Sequence, residues 1–83
     1  MKKRPRVRRL IYVFDKKTEK FVCSYELANF NLKEVQTLFN QKSEAPMYYA
    51  YKITEKEASY FRKKYGRRFH FRKREYFLDT RKY

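Results

Sequence analysis

The sequence predicts a single α+β domain: a small antiparallel β-sheet, made of an N-terminal hairpin and a C-terminal strand, carrying two α-helices packed on one face. Three observations predict it. Two runs rich in β-branched and aromatic residues, 7–14 (VRRLIYVF) and 21–27 (FVCSYEL), flank a short polar turn. Two later segments carry complete helix-start signatures, and an alternating apolar run returns near the C-terminus. At 83 residues the chain makes one domain, 1–83, which buries roughly 60% of its unfolded surface and so builds only a modest core.

Within the hairpin, Asp15-Lys16-Lys17-Thr18 supplies the turn. In the second strand Phe21, Cys23, Tyr25 and Leu27 share one face, expected to pack, while Val22, Ser24 and Glu26 share the wet one. The first helix starts at Asn31, with Glu34 three residues on and Phe30 placed to staple Val35; Leu32, Val35, Leu38 and Phe39 then fall on one side. Ser43-Glu44-Ala45-Pro46 reads as a loop and Met47 to Lys52 as a short extended piece. The same capping grammar recurs at Thr54 and Glu57, with Ile53 and Ala58 at the staple positions and Ala58, Phe61 and Tyr65 continuing the stripe. Gly66, the only glycine, follows Tyr65 as a helix-ending residue should, and Lys63 and Lys64 sit in the last turn where cations suit the helix dipole. After it, Phe69 and Phe71 alternate with Arg68, His70, Arg72 and Arg74, which predicts a basic C-terminal strand over 67–78. Residues 1–6 read as a flexible basic arm.

The formal charge of +14 lies at the two ends. Six basic residues and no acid occupy 1–9, ten basic residues against Glu75 and Asp79 occupy 62–83, and the middle balances seven lysines with seven acids. Charge segregated in this way repels itself and draws anions from a distance, so an acidic partner is expected. The chemistry of catalysis is absent from the pattern. One cysteine and one histidine exclude a disulfide framework and a Cys/His zinc site, no glycine-rich phosphate loop occurs, and His70 lies among cations. No cofactor and no metal are expected, Cys23 reads as a reduced core thiol, and the protein is not expected to be an enzyme. Apolar runs fall short of the roughly 20 residues of a membrane span, and the basic N-terminus lacks the apolar stretch of a signal peptide, so a cytoplasmic location is expected.

Seventeen aromatics, nine Tyr and eight Phe, serve first as core. Phe14, Phe21, Phe30, Phe39, Phe61, Phe69 and Phe71 are mostly assigned there, whereas Tyr48, Tyr49 and Tyr51 are left for a surface, with at least one of the three turning inward. With Arg67, Arg68, Arg72 and Arg74 these tyrosines form the expected partner-binding set. The same arginines, beside Tyr60, Tyr65 and Tyr76, could instead contact phosphates and unstacked bases, which makes RNA or DNA binding the alternative. A second alternative is a ribosome-dependent RNA-cleaving toxin, in which Tyr65, Arg68, Arg72 and Arg74 would stabilise transition-state charge.

Val13-Phe14-Asp15-Lys16-Lys17-Thr18, Phe30-Asn31-Leu32 leading to Leu38-Phe39, Pro46-Met47-Tyr48, and Tyr51 followed by Ile53-Thr54-Glu55 carry a resemblance through their order and spacing. Through them the stretch from Ile11 to Tyr65 resembles a family of short bacterial domains found beside polymorphic toxins, some of them immunity proteins of contact-dependent inhibition systems. The resemblance implies a cytoplasmic inhibitor that binds and occludes a cognate toxin, here one with an acidic surface. Two departures stand out: Tyr49 occupies a position where an acid is usual, and the arginine-rich strand beyond Tyr65 is an addition.

Overall fold

The computed structural model describes residues 7–82, and the expected basic arm at 1–6 lies outside them. Strand β1 (Val7–Asp15) ends where the Asp15 carboxylate accepts the backbone N–H groups of Lys17 and Thr18, both at 2.9 Å. This Asx-type turn, closed by a left-handed Glu19 (φ 61°), returns the chain as β2 (Phe21–Glu26). Helix α1 (Leu32–Leu38) starts as predicted, with Asn31 Oδ1 accepting the Glu34 N–H at 3.1 Å. A three-residue β3 (Tyr51–Ile53) leads into α2 (Glu55–Tyr65), where the Thr54 N–H and hydroxyl both donate to Glu57 Oε1 at 2.8 and 2.7 Å. Gly66 ends that helix in the left-handed region (φ 68°), its N–H on the Arg62 carbonyl at 2.8 Å.

Strand β4 (Arg74–Lys82) closes an antiparallel sheet of order β2-β1-β4-β3. It runs 74–82 rather than the expected 67–78. Residues 67–73 stay outside the ladder: the Lys73 and Arg74 N–H groups both donate to the His70 carbonyl, closing a turn over 70–73, while the His70 N–H donates to the Tyr76 hydroxyl at 2.9 Å. Phe69 and Phe71 do share a side, stacked at 5.6 Å and 12°, and both pack against Tyr76.

Both helices cover one face of the sheet. Ile11 and Val13 of β1, Tyr76 and Leu78 of β4 and Ile53 of β3 join Val35, Ala58, Phe61 and Phe69 in one buried cluster, with Phe61 completely buried against Phe39, Tyr65 and Phe69. Edge strand β2 extends past this cover, so Cys23 is exposed and not the core thiol its sequence neighbours suggest.

Arg9, expected to add to the basic N-terminus, is instead buried under this layer. Its Nη1 donates to the Met47 carbonyl (2.7 Å) and the Thr80 hydroxyl (3.1 Å), its Nη2 to the Pro46 carbonyl (2.9 Å), and its guanidinium lies 4.8 Å from the Phe30 ring centroid. The fork ties the 46–48 loop to β1 and β4, and holds Met47, itself buried, in the left-handed region (φ 54°). Burial pulls the Arg9 pKa down while Tyr48 and Tyr51 oppose the shift.

Candidate partner-binding surface

The second face of the sheet carries no helix, yet its side chains are not those of a wet surface. In β4 the residues alternating with Tyr76, Leu78 and Thr80 are Glu75, Phe77, Asp79 and Arg81, and their cross-strand partners in β1 are Phe14, Tyr12, Leu10 and Arg8. Directly paired residues share a face. Phe14 meets Phe77 edge to face at 5.7 Å.

A bulge in the hairpin adds a further ring. Val13 pairs with Cys23 but Phe14 pairs with Phe21, so Val22 is the extra residue and the alternation of β2 slips by one at that point. Phe21, expected on the packed face with Cys23, therefore turns to the open one. There it meets Tyr12 at 5.9 Å and Phe14 at 5.8 Å, both edge to face, and remains 57% exposed. Tyr12, Phe14, Phe21 and Phe77 thus form an unbroken aromatic patch across three strands.

The patch floors a groove of about 650 Å³ whose charged lining is Asp15, Glu19, Glu75, Asp79 and a single cation, Arg81. Arg81 is engaged locally: its Nε donates to the Tyr12 hydroxyl at 2.7 Å, and that bond, with the nearby Asp79, raises its pKa. Glu75 faces Lys52 only at 3.9 Å, and Asp79 accepts the Thr80 N–H at 2.7 Å.

The residues singled out from sequence are dispersed. Tyr51 packs inward against Phe39 at 5.6 Å, and Tyr48 lies 5.5 Å from the Arg9 guanidinium on the helix side. Tyr49 is 81% exposed and immediately precedes Ala50, which lines the groove. Arg67 covers the Tyr25 ring at 4.2 Å, Arg68 and Arg72 are exposed, and Arg74 is held by Asp15 at 3.0 Å. Arg9, beside Tyr48, and Asp15, beside Arg74, lie six residues apart on β1, so Tyr48 and Arg74 are roughly 20 Å apart at about 3.3 Å per residue, while Tyr51, paired to Leu78, and Arg67, over Tyr25, lie on opposite edges of the row through Ile11. Nor does the set recast for RNA cleavage face a common substrate. Tyr65 stacks on Phe61 with its hydroxyl buried, and Arg74 is occupied by Asp15.

A basic end does form, from both charged and neutral parts of the sequence. Lys16 donates its N–H to the Lys73 carbonyl (2.9 Å) and its Nζ to the Phe71 carbonyl (3.2 Å), closing the hairpin turn on the 70–73 turn. Lys16, Lys17, Arg72 and Lys73 then line one groove of about 440 Å³ with Asp15, Thr18 and Arg74. Among the described residues no group of His, Cys, Asp or Glu is placed to hold a metal ion, and no helix is long and apolar enough to cross a membrane.

The open face was legible in part. Residues 10–14 and 76–78 are apolar on both alternations, a pattern that asks for cover on both faces, and the helices cover one. The bulge that adds Phe21 left no sequence signal.

Residues 8–79 match DUF7683, a domain of unknown function, and the chain belongs to that family. Its match runs through the arginine-rich segment and most of β4, so in this family that segment is part of the domain and not an addition beyond Tyr65. No curated protein and no solved structure matches the chain.

Proposed function

We propose that this DUF7683 domain is a cytoplasmic immunity protein of the contact-dependent inhibition type, a binder without chemistry of its own that neutralises a cognate toxin by covering its working surface. The observation that supports this reading is the aromatic patch of Tyr12, Phe14, Phe21 and Phe77 on a sheet face that no helix covers among the described residues. One exposed ring, Phe21, and three half-buried ones in a fixed edge-to-face arrangement have the composition of interface centres, where aromatic anchors lose little entropy on binding. The interface proposed here is thus the open face, in place of the tyrosine and arginine set expected from sequence.

Growth rescue tests the reading. Cells expressing a cognate toxin domain should survive when this chain is co-expressed and die when it carries Phe21→Ser, a change at an exposed edge position whose folding circular dichroism checks. Absence of rescue by the unaltered chain, or full rescue by Phe21→Ser, contradicts it.

A second reading, binding of RNA or DNA backbone, has its own support in the basic end where Lys16, Lys17, Arg72 and Lys73 converge. Such contacts would be tolerant of sequence and would weaken steeply with salt.

A further inference from the structure

Nine acids serve the whole chain against 23 Lys and Arg, yet four of the nine line the aromatic groove, where only one cation joins them. A surplus of cations so large would ordinarily neutralise every carboxylate in reach. At the groove it does so fully only at Asp15, which pairs with Arg74 at 3.0 Å: among the described residues Glu19 and Asp79 have no ion pair, Glu75 has only the 3.9 Å contact with the well-exposed Lys52, and Arg81 is taken up by the Tyr12 hydroxyl. The acidic partner expected from net charge finds a single cation, Arg81, in the lining of this groove.

We propose that the groove receives cationic side chains, so that the partner of the open face presents Lys or Arg flanking an apolar contact. The inference rests on the open face being the partner surface. Three features of the groove select that chemistry. Aromatic ring faces attract cations through their quadrupoles, and an arginine stem can lie on the rings while its head reaches a carboxylate. Glu75 and Asp79 stand on either side of Phe77 along β4, all three on the open face, so a head group over Phe77 meets a carboxylate in both directions along the strand. Glu75 is 28% exposed at its side chain, which leaves its charge less screened than a fully solvated one. An acidic partner would meet the like charges of Glu19, Glu75 and Asp79 here. A surface that is cationic where it holds an anionic substrate fits instead, even though the chain as a whole carries +14.

The test uses the full chain and two capped tripeptides, Ac-Arg-Leu-Arg-NH2 and Ac-Glu-Leu-Glu-NH2, titrated into ¹⁵N-labelled protein. The arginine peptide should shift the amides of Tyr12, Phe14, Phe21 and Phe77 with a dissociation constant in the millimolar range, and the glutamate peptide should leave them in place. The isosteric pair Glu75→Gln with Asp79→Asn should weaken the arginine peptide about fivefold, as expected for two partly exposed charges, while Arg68→Gln should not. Spectra of the variants report their folding directly. Equal shifts with the glutamate peptide, no groove shifts with the arginine peptide, indifference to the Glu75/Asp79 pair, or a groove filled by a second copy in sedimentation equilibrium would each overturn the proposal. Peptide binding without growth rescue would end the immunity reading and leave the cation preference standing; rescue without peptide binding would do the reverse.

Discussion

Arg9→Met should destabilise the domain by about 2–3 kcal/mol, although it removes one of many surface-type charges in a chain that has them in excess. The guanidinium makes three hydrogen bonds, and each charge-assisted bond of this kind contributes roughly 1.5–3 kcal/mol. Two of the three losses are softened. Thr80 Oγ1 still reaches the Met47 carbonyl at 3.2 Å, and Pro46 is exposed, so water can replace Arg9 there. Loss of the stacking on Phe30 and Tyr48 adds about 1 kcal/mol, and the apolar methionine stem returns about as much by filling the same space. What remains is about one full bond, together with the left-handed Met47, whose conformation costs about 1–2 kcal/mol and is held by the fork. For a domain of this size, 2–3 kcal/mol corresponds to a Tm lower by roughly 10–20 °C. Urea unfolding followed by circular dichroism measures it, with Arg9→Lys falling between the two because a lysine keeps the charge and loses the fork. A midpoint shift equivalent to less than about 1 kcal/mol, with an unchanged m-value, would refute the claim that Arg9 anchors the 46–48 loop.

Two further substitutions read single features of the fold. Burial pushes the Tyr25 phenol from 10.0 up to about 12, against the opposing charge of Arg67, and its hydroxyl has no hydrogen-bond partner among the described residues. The folded state thus favours the neutral phenol, so stability is complete below pH 10.0 and falls as pH rises toward about 12. Tyr25→Phe should leave stability at pH 7 unchanged or slightly higher, since it deletes an unsatisfied group, and should remove one delayed tyrosinate step from the absorbance titration, leaving the still later one of Tyr60, which burial and the bond to Glu34 push higher; a marked loss at pH 7 would show that the hydroxyl is bonded. Gly66→Ala should cost about 1 kcal/mol in thermal unfolding, because a Cβ at φ 68° is strained although no atom lies within 4 Å of it, and an unchanged Tm would mean that the helix end can relax.

What the sequence disclosed was local grammar, and what it concealed was register and surplus. Asn31, Thr54, Glu57 and Gly66 act within four residues of themselves, so their spacing alone predicts both helices. Phe21 depends on a one-residue bulge against β1, and nothing in FVCSYEL marks Val22 as the residue left over. Arg9 reads as one more terminal cation, because its acceptors, Pro46 and Met47, lie 37 and 38 residues away. Charge counted along the chain misled for the same reason: Lys16 and Lys17, from the balanced middle, fold onto Arg72 and Lys73, while Glu75 and Asp79, from the basic C-terminal segment, leave for the other face.

That rearrangement makes the two functional readings separable by mutation. In the linear sequence the same arginines would serve a protein carboxylate or a nucleic-acid phosphate, and no substitution could tell these apart. In the fold the aromatic groove and the basic end are different places, joined only where Asp15 borders both. Replacing Lys16, Lys17, Arg72 and Lys73 with glutamine should lower affinity for single-stranded RNA and reduce the slope of log affinity against log salt by about 0.7 per cation removed, while leaving growth rescue intact. Phe21→Ser with Phe77→Ser should abolish rescue and leave the salt slope unchanged. If the glutamine set instead abolishes rescue while the serine pair does not, the basic end is the toxin-facing surface, and the acid-rimmed aromatic groove has some other occupant.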